Sequence, residues 1–210
     1  MMKNIEILYE DNHIIVVVKP HNIPSQSDIS GDADMLTLLK GYIKEKYDKP
    51  GNVFLGLVHR LDRPTSGVMV FARTSKAAQR LSKQFVDREV EKEYTALVDG
   101  FPPEFGEFSD YLKKDERKNI VTTCGRDEGK LARLSYRVIS REGRLSRVKI
   151  KLFTGRSHQI RVQFASRGFA LVGDAKYGAG GRNLCLCCTH LSFMHPTKRE
   201  KMSFDIEEDF

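Results

Sequence analysis

The chain has 210 residues, of which 40% are hydrophobic and 30% charged, and its formal net charge is +7. This is the composition of an ordinary globular protein with room for one sizeable core. It contains no apolar run long enough to span a membrane, no signal-peptide core and no disulfide framework. We therefore expect a cytoplasmic protein without membrane association, and the basic excess favours a polyanionic partner.

The N-terminal part is predicted to form a hairpin and a helix. Residues 5–9 and 14–18 are rich in isoleucine and valine and predict two strands around a short polar turn. A loop rich in Pro, Ser, Asn and Asp follows over residues 20–31. The apolar residues of Met35–Lys46 recur at helical spacing, and Asp34 is the predicted N-cap.

Two short apolar runs, residues 53–58 and 68–72, flank the polar insert HRLDRPTSG and are predicted to be strands. In this insert Asp62 stands between Arg60 and Arg63. A carboxylate with cationic neighbours tends to stay ionised and can then act as a base or nucleophile. A surface loop with a structural ion pair has the same pattern, so local physics leaves both interpretations open.

A second helix is predicted from Thr74 or Ser75, either of which can be its N-cap, to about Asp87. A strand over residues 93–98 places Tyr94 on a sheet. Residues 101–130 are the least regular part of the sequence and mix basic with acidic side chains. Two interpretations stay open for them, a solvated hairpin and a mobile, RNA-contacting insertion.

The last third predicts mostly strands. A helix over residues 158–167, capped by Ser157 and closed by Gly168, interrupts them. The sequence has no internal repeat and no low-complexity linker, so we expect one α+β domain over residues 1–210. The further strands are predicted over residues 131–140, 145–153, 184–194 and 202–206.

Four segments resemble, in the same order, motifs of the RluA family of pseudouridine synthases. HRLDRPTSG is similar to the family's active-site motif, whose aspartate is catalytic. The other three are ILYEDNHIIVVVKPHNIPSQ (7–26), similar to the opening segment, KEYTALVDG (92–100), similar to the tyrosine-bearing segment, and TGRSHQIRVQFASRGFALVGDAKYG (154–178), similar to the arginine-bearing third motif. The resemblance implies a curved, mostly antiparallel mixed sheet with a few helices and a central RNA-binding cleft.

The resemblance also implies an isomerase that converts uridine to pseudouridine in tRNA or rRNA. The reaction breaks the N1–C1′ bond and joins C5 to C1′ after the uridine has left its stack, and it adds no atoms, so no cofactor is expected. By resemblance Asp62 is the catalytic carboxylate, Arg161 pairs with it, Tyr94 stacks on the uracil, and Arg60 enters the RNA. Whether Asp62 attacks the sugar or the base stays open.

Further RNA contacts are expected from neighbouring motif residues, namely His59, Arg63, Thr65, Arg156, His158 and Gln159. No obligatory protein partner is indicated. Only about six residues precede the opening segment, so the N-terminal RNA-binding module that the family often carries is expected to be absent. RNA affinity would then come from the catalytic domain.

A cluster of Cys185, Cys187, Cys188, His190 and His195 raises the question of a metal site. Its spacing fits no standard zinc pattern, and strand alternation would place Cys188 on the opposite face from Cys185 and Cys187. We therefore expect no metal and interpret the cysteines as small buried hydrophobic residues.

Two other classes of protein are alternatives to this interpretation, and each predicts a different assay result. A non-catalytic RNA-binding protein of the same fold would release no tritium from labelled uridine. A base-excising hydrolase would release free uracil, whereas an isomerase retains the base as pseudouridine.

Overall fold

The structure is a computed structural model that describes residues 5–210. Its helices are α1 (Met35–Lys46), α2 (Ser75–Asp87) and α3 (Gln159–Ala165). Its strands are β1 (Glu6–Glu10), β2 (Ile14–Lys19), β3 (Gly56–Leu57), β4 (Ser66–Ala72), β5 (Glu91–Asp99), β6 (Phe105–Asp115), β7 (Ile120–Cys124), β8 (Lys130–Glu142), β9 (Leu145–Leu152), β10 (Leu186–Met194) and β11 (Lys201–Asp205). None of the helices within residues 5–210 is long and apolar enough to cross a membrane.

The chain forms two units by its internal contacts. The first unit contains the described residues up to Glu91 together with His190–Glu207, and the second contains Lys92–Thr189 and Glu208–Phe210. Each unit combines antiparallel strand pairs with packed helices, so the predicted α+β class is confirmed. The domain boundaries 1–210 stay a prediction.

The first unit is built around β2 and β4, which pair antiparallel from Ile14↔Ala72 to Lys19↔Gly67. Strand β1 pairs with the other edge of β2, and β10 pairs with β11. Every residue of β4 is buried, because both faces of this strand are covered. A strand buried on both faces has a continuous apolar sequence, which explains why it was recognisable.

Helices α1 and α2 begin and end as predicted. The Asp34 side chain accepts a hydrogen bond from the backbone N–H of Thr37, and the Thr74 hydroxyl accepts one from Ala77. Each cap satisfies a backbone donor that the first helical turn leaves unpaired. Helix α2 buries Ala77 and Leu81 in the core of the first unit.

The second unit is an antiparallel sheet in the order β5-β9-β8-β6-β7. Helix α3 packs on it through Phe164, whose ring lies 5.0 Å from the ring of Phe108 and 5.1 Å from that of Tyr136, centroid to centroid. This aromatic cluster and the neighbouring apolar residues of β6, β7 and β8 hold the helix against one face of the sheet.

One predicted strand differs from the fold, and one segment with an irregular sequence forms regular strands. The strand expected over residues 53–58 is only the two-residue β3, because Phe54 points to solvent and pairing with β4 extends over two residues. Residues 101–130, whose sequence is the least regular, contain strands β6 and β7, which form a hairpin. A hairpin is one of the two interpretations left open for this segment, and its contact with RNA stays a prediction. The buried residues Leu112 and Val121 of this hairpin are separated by a mostly charged stretch, KKDERKNI.

Candidate active site

A buried lysine of the opening segment, Lys19, is hydrogen-bonded to the loop that carries Asp62. Lys19 is fully buried, and its Nζ donates to the carbonyl oxygens of Arg63 at 3.0 Å, Ile23 at 2.7 Å and Pro20 at 3.0 Å. One ammonium group thus joins the end of β2, the following turn and the residue after Asp62. A buried polar group costs free energy unless it is hydrogen-bonded, and the bonds to these three carbonyls satisfy the buried amine.

The backbone on the other side of Asp62 is held by Ser25. The Ser25 hydroxyl donates to the carbonyl of Leu61 at 2.8 Å and accepts from the Leu61 N–H at 3.2 Å. His21 Nδ1 donates to the carbonyl of Pro64 at 2.8 Å, and the N–H of Thr65 closes a turn onto the carbonyl of Asp62 at 3.0 Å. These hydrogen bonds fix the backbone on both sides of Asp62, whose side chain is half-buried.

The buried lysine gives a first prediction, on stability. Burial lowers the pKa of Lys19 to about 7, and the charge of Asp62 opposes this shift. Since lysine in the unfolded chain has an ordinary pKa near 10.4, the unfolded state binds more protons above pH 7, and the contribution of Lys19 to the free energy of unfolding rises with pH. Between pH 7 and pH 9 the wild type should therefore gain about 1–2 kcal/mol over Lys19→Met in urea denaturation. A difference that stays constant over this range would contradict the assignment.

The two arginines beside Asp62 have different surroundings. Arg60 is exposed and can reach a ligand. Arg63 donates to the hydroxyl of Ser30 at 2.9 Å and forms ion pairs with Asp28, at 3.6 Å, and Asp32. Arg63 therefore fastens the loop over residues 28–32 to the Asp62 loop, which is a structural role that the sequence pattern did not reveal.

His59 and Thr65, predicted to contact RNA, have structural surroundings in the first unit. His59 Nε2 accepts a hydrogen bond from the backbone N–H of Val70 at 3.0 Å, and its ring stacks on Phe85 with centroids 4.6 Å apart. Thr65 is only 2% exposed. Both residues shape the turn between β3 and β4, and their predicted contact with RNA stays a prediction.

In the second unit, Arg161 is buried and paired. It is 3% exposed, and its Nε and Nη2 donate to the two carboxylate oxygens of Asp174 at 2.8 and 2.7 Å. Its Cζ lies 5.2 Å from the centre of the Tyr177 ring. The sequence analysis assigned no role to Asp174 or Tyr177. Their place in the segment GDAKYG was the one available signal.

Tyr94 lies on β5 opposite Ile150 of β9 and is 6% exposed. The position on a sheet agrees with the sequence prediction. Tyr94, Ala96 and Val98 are all buried and alternate along β5, so their side chains lie on the same face of the strand.

Gln159 is also predicted to contact RNA, and this contact stays a prediction; in the structure its amide is hydrogen-bonded within the second unit. Its Oε1 accepts from the Thr154 hydroxyl at 2.8 Å and from the Arg156 N–H at 3.0 Å, while its Nε2 donates to the carbonyl of Arg133 at 3.1 Å. The residue is 3% exposed. Both ends of the amide are thus engaged within the second unit, and the surroundings favour a structural role.

His158 and Arg156 stand just before α3. His158 has φ 50° and occupies the N-cap position without a side-chain cap, so the predicted cap at Ser157 is wrong. Its Nδ1 lies 2.7 Å from the hydroxyl of Tyr177. Arg156 is half-exposed, and its Nε donates to the carbonyl of Leu131 at 2.9 Å.

The cysteine and histidine cluster does not converge on one point in the described residues. Cys187 and Cys188 are buried neighbours on β10, and their side chains point to opposite faces. His190 Nδ1 lies 2.8 Å from the carboxylate of Asp205, and His195 Nε2 lies 3.0 Å from that of Asp11. Residues 5–210 contain no group of three or more side chains placed to hold a metal.

Comparisons with known proteins agree with one another. The family model for RNA pseudouridylate synthase matches residues 13–166. An uncharacterized RNA pseudouridine synthase from Aquifex aeolicus is 38% identical, over 97% of this chain and 69% of its own length. The dual-specificity RNA pseudouridine synthase RluA of Haemophilus influenzae is 32% identical, over 98% of this chain and 94% of its own length.

A further relative and a solved structure agree with this result. The ribosomal large subunit pseudouridine synthase D of Zymomonas mobilis is 33% identical, over 97% of this chain and 69% of its own length. The human RNA pseudouridylate synthase domain containing 1 superposes with a TM-score of 0.82 at 24% identity, over 100% of this chain and 86% of that chain, which shows the shared fold. The chain therefore belongs to the RNA pseudouridylate synthase family and is an RNA pseudouridine synthase, an isomerase.

Proposed function

We propose that Asp62 is the catalytic carboxylate of this synthase, that Arg161 is its cationic partner, and that Tyr94 stacks on the flipped uracil. The observation that carries the proposal is the fixed loop around Asp62. Lys19 and Ser25 hold the backbone on both sides of it, so the carboxylate is presented without a large entropic cost at the moment of reaction.

The remaining parts of the proposal follow from the needs of the reaction. The target uridine has to leave its stack, at a cost of a few kcal/mol, and a side chain that enters the vacated space lowers this cost. Arg60 is exposed two residues before Asp62 and fits this task. The isomerisation itself moves a glycosidic bond within one nucleotide and consumes no second substrate.

A tritium-release assay tests the activity directly. RNA labelled at C5 of uridine should lose tritium on incubation with the purified chain, because pseudouridine formation replaces the C5–H bond by C5–C1′. Recovery of the label in free uracil, or no release from any RNA, would contradict the proposed reaction.

The RNA is proposed to be rRNA or tRNA in the cytoplasm, bound without an obligatory protein partner. Several curated relatives are named for the ribosomal large subunit, while the relative that this chain covers to 94% is named a dual-specificity synthase. Mapping pseudouridines in total RNA from cells with and without the protein identifies the substrate. Sites lost in both RNA classes would indicate dual specificity.

The hydroxyl of Tyr94 gives a second prediction. Tyr94→Phe keeps the ring, so RNA affinity should stay within about twofold of the wild type, whereas turnover should fall by about 10²-fold if the hydroxyl helps to move the C5 proton. Single-turnover rates and a filter-binding Kd measure the two effects. Wild-type turnover would show that the ring alone matters.

The β6–β7 hairpin is proposed to bind RNA through its exposed turn. Asp115 accepts from the N–H groups of Arg117 and Lys118 and shapes the turn, where both cations point into solvent. Replacing both by alanine should weaken RNA binding and reduce the slope of log Kd against log salt by about 2 units. The same exchange at Lys40 and Lys44, two exposed lysines of α1, is the matched control. Equal losses in both variants would show that only net charge matters.

A further inference from the structure

Asp174 binds one edge of the Arg161 guanidinium group by hydrogen bonds. Asp174 accepts from its Nε at 2.8 Å and from its Nη2 at 2.7 Å, and the two side chains are 4% and 0% exposed. Two parallel hydrogen bonds fix the plane of a guanidinium as well as its position. The group has five N–H donors, and Asp174 engages two of them. Asp174 thereby determines the direction in which the opposite edge points.

Asp174 is itself held by the backbone of the turn that follows it. Its Oδ1 also accepts from the N–H groups of Lys176 at 2.9 Å and Tyr177 at 3.1 Å. Its main-chain carbonyl accepts from Gly178 and Gly180 at 3.0 and 3.1 Å. Burial raises the pKa of Asp174, but these hydrogen bonds and the charge of Arg161 outweigh it, and the pKa lies below its ordinary value.

The ring of Tyr177, in the same turn, packs against the Arg161 guanidinium. The Arg161 Cζ lies 5.2 Å from the ring centre, and the Tyr177 hydroxyl accepts from the N–H of Val121 at 2.8 Å and contacts His158 Nδ1 at 2.7 Å. A single turn therefore contacts Arg161 from two directions and is anchored to β7 and to the start of α3.

Stability alone is a weak reason for such an arrangement. A buried ion pair loses much of its attraction to the cost of removing both charges from water, and apolar side chains of similar volume often stabilise a core equally well. A buried arginine whose orientation is fixed on one edge is more useful where the other edge has to meet a developing or reacting charge.

We propose that Asp174 is a positioning residue of the pseudouridine synthase reaction. It fixes the position and the plane of the Arg161 guanidinium, the group that the proposed function assigns as the cationic partner of the catalytic carboxylate. This inference rests on the proposed function, in which Arg161 is the partner of Asp62. It adds a residue that touches neither the uridine nor the reacting carboxylate and acts only through Arg161.

The test is a double-mutant cycle on single-turnover kinetics, with rates normalised to the folded fraction. Asp174→Asn keeps the size of the side chain and removes its charge, and it should lower the rate by about 10–100-fold, because small misalignments of a catalytic group have effects of this size. RNA affinity should stay within about twofold, so that the loss appears in the rate and not in binding. In the Arg161→Met background the same exchange should change the rate by less than about threefold.

The double variant also keeps the test informative if Asp174→Asn folds poorly, since it removes both buried charges together. Glu10→Gln is the matched control, because Glu10 pairs with Arg73 at 2.9 Å and both side chains are less than a tenth exposed, in the first unit. It should alter stability and leave the rate unchanged.

Two outcomes would overturn the inference: a wild-type rate for Asp174→Asn, or an equal loss in both backgrounds of the cycle. Failure of the proposed function is recognised separately. If Arg161→Met itself keeps the wild-type rate, the assignment of Arg161 is wrong. If Arg161→Met is impaired and Asp174→Asn is not, only the positioning role is wrong.

Discussion

Asp62→Asn is expected to abolish pseudouridine formation, with a loss of at least about 10³-fold in single-turnover rate, as is typical when the reacting group itself is removed. Asparagine has the shape of aspartate and lacks its charge and its nucleophilic oxygen. The loop is held through backbone atoms of Leu61 and Arg63, so the substitution should leave folding intact. Filter binding should give an RNA Kd within about twofold of the wild type.

Asp87→Asn is the matched control for this experiment. Asp87 ends α2 and pairs with Lys83 at 2.5 Å on the surface of the first unit, and its replacement should leave the rate unchanged. Tritium release by purified Asp62→Asn at a rate near that of the wild type would remove Asp62 from the mechanism. Loss of RNA binding together with activity would instead assign Asp62 to substrate affinity.

The second large effect is expected at Arg161. Arg161→Lys keeps the positive charge and loses the two-pronged geometry with Asp174, so the rate should fall by about 10–100-fold. Arg161→Met also removes the charge, and its loss should reach about 10²–10³-fold.

Arg161→Met should also be less stable than Arg161→Lys. It leaves the buried carboxylate of Asp174 without its partner, and breaking a buried pair in this way costs about 3–5 kcal/mol. Urea denaturation therefore has to accompany the kinetics. Arg167→Lys is the control, since Arg167 forms a similar two-pronged pair with Asp110 at 3.0 Å just beyond α3. If the lysine variants at 161 and 167 lose the same factor, the effect at Arg161 is structural.

Local sequence determined the elements whose stabilising interactions are local. Asp34 and Thr74 accept hydrogen bonds from N–H groups three residues ahead, so the starts of α1 and α2 could be recognised from the cap residue and the helical spacing that follows. The apolar runs of β2 and β4 likewise identified strands buried on both faces. The order of four motifs was enough to indicate the family and its reaction.

Tertiary structure alone decided how the polar side chains around the proposed site residues are hydrogen-bonded. Lys19 is the last residue of the apolar strand β2, and only the fold shows that its side-chain nitrogen donates to the carbonyl of Arg63 in the Asp62 loop, 44 residues ahead in the sequence. Arg161 and Asp174 are 13 residues apart, and both ends of the Gln159 amide bond within the protein. These pairings depend on how separate segments fold against one another, and no periodicity or spacing along the sequence records this.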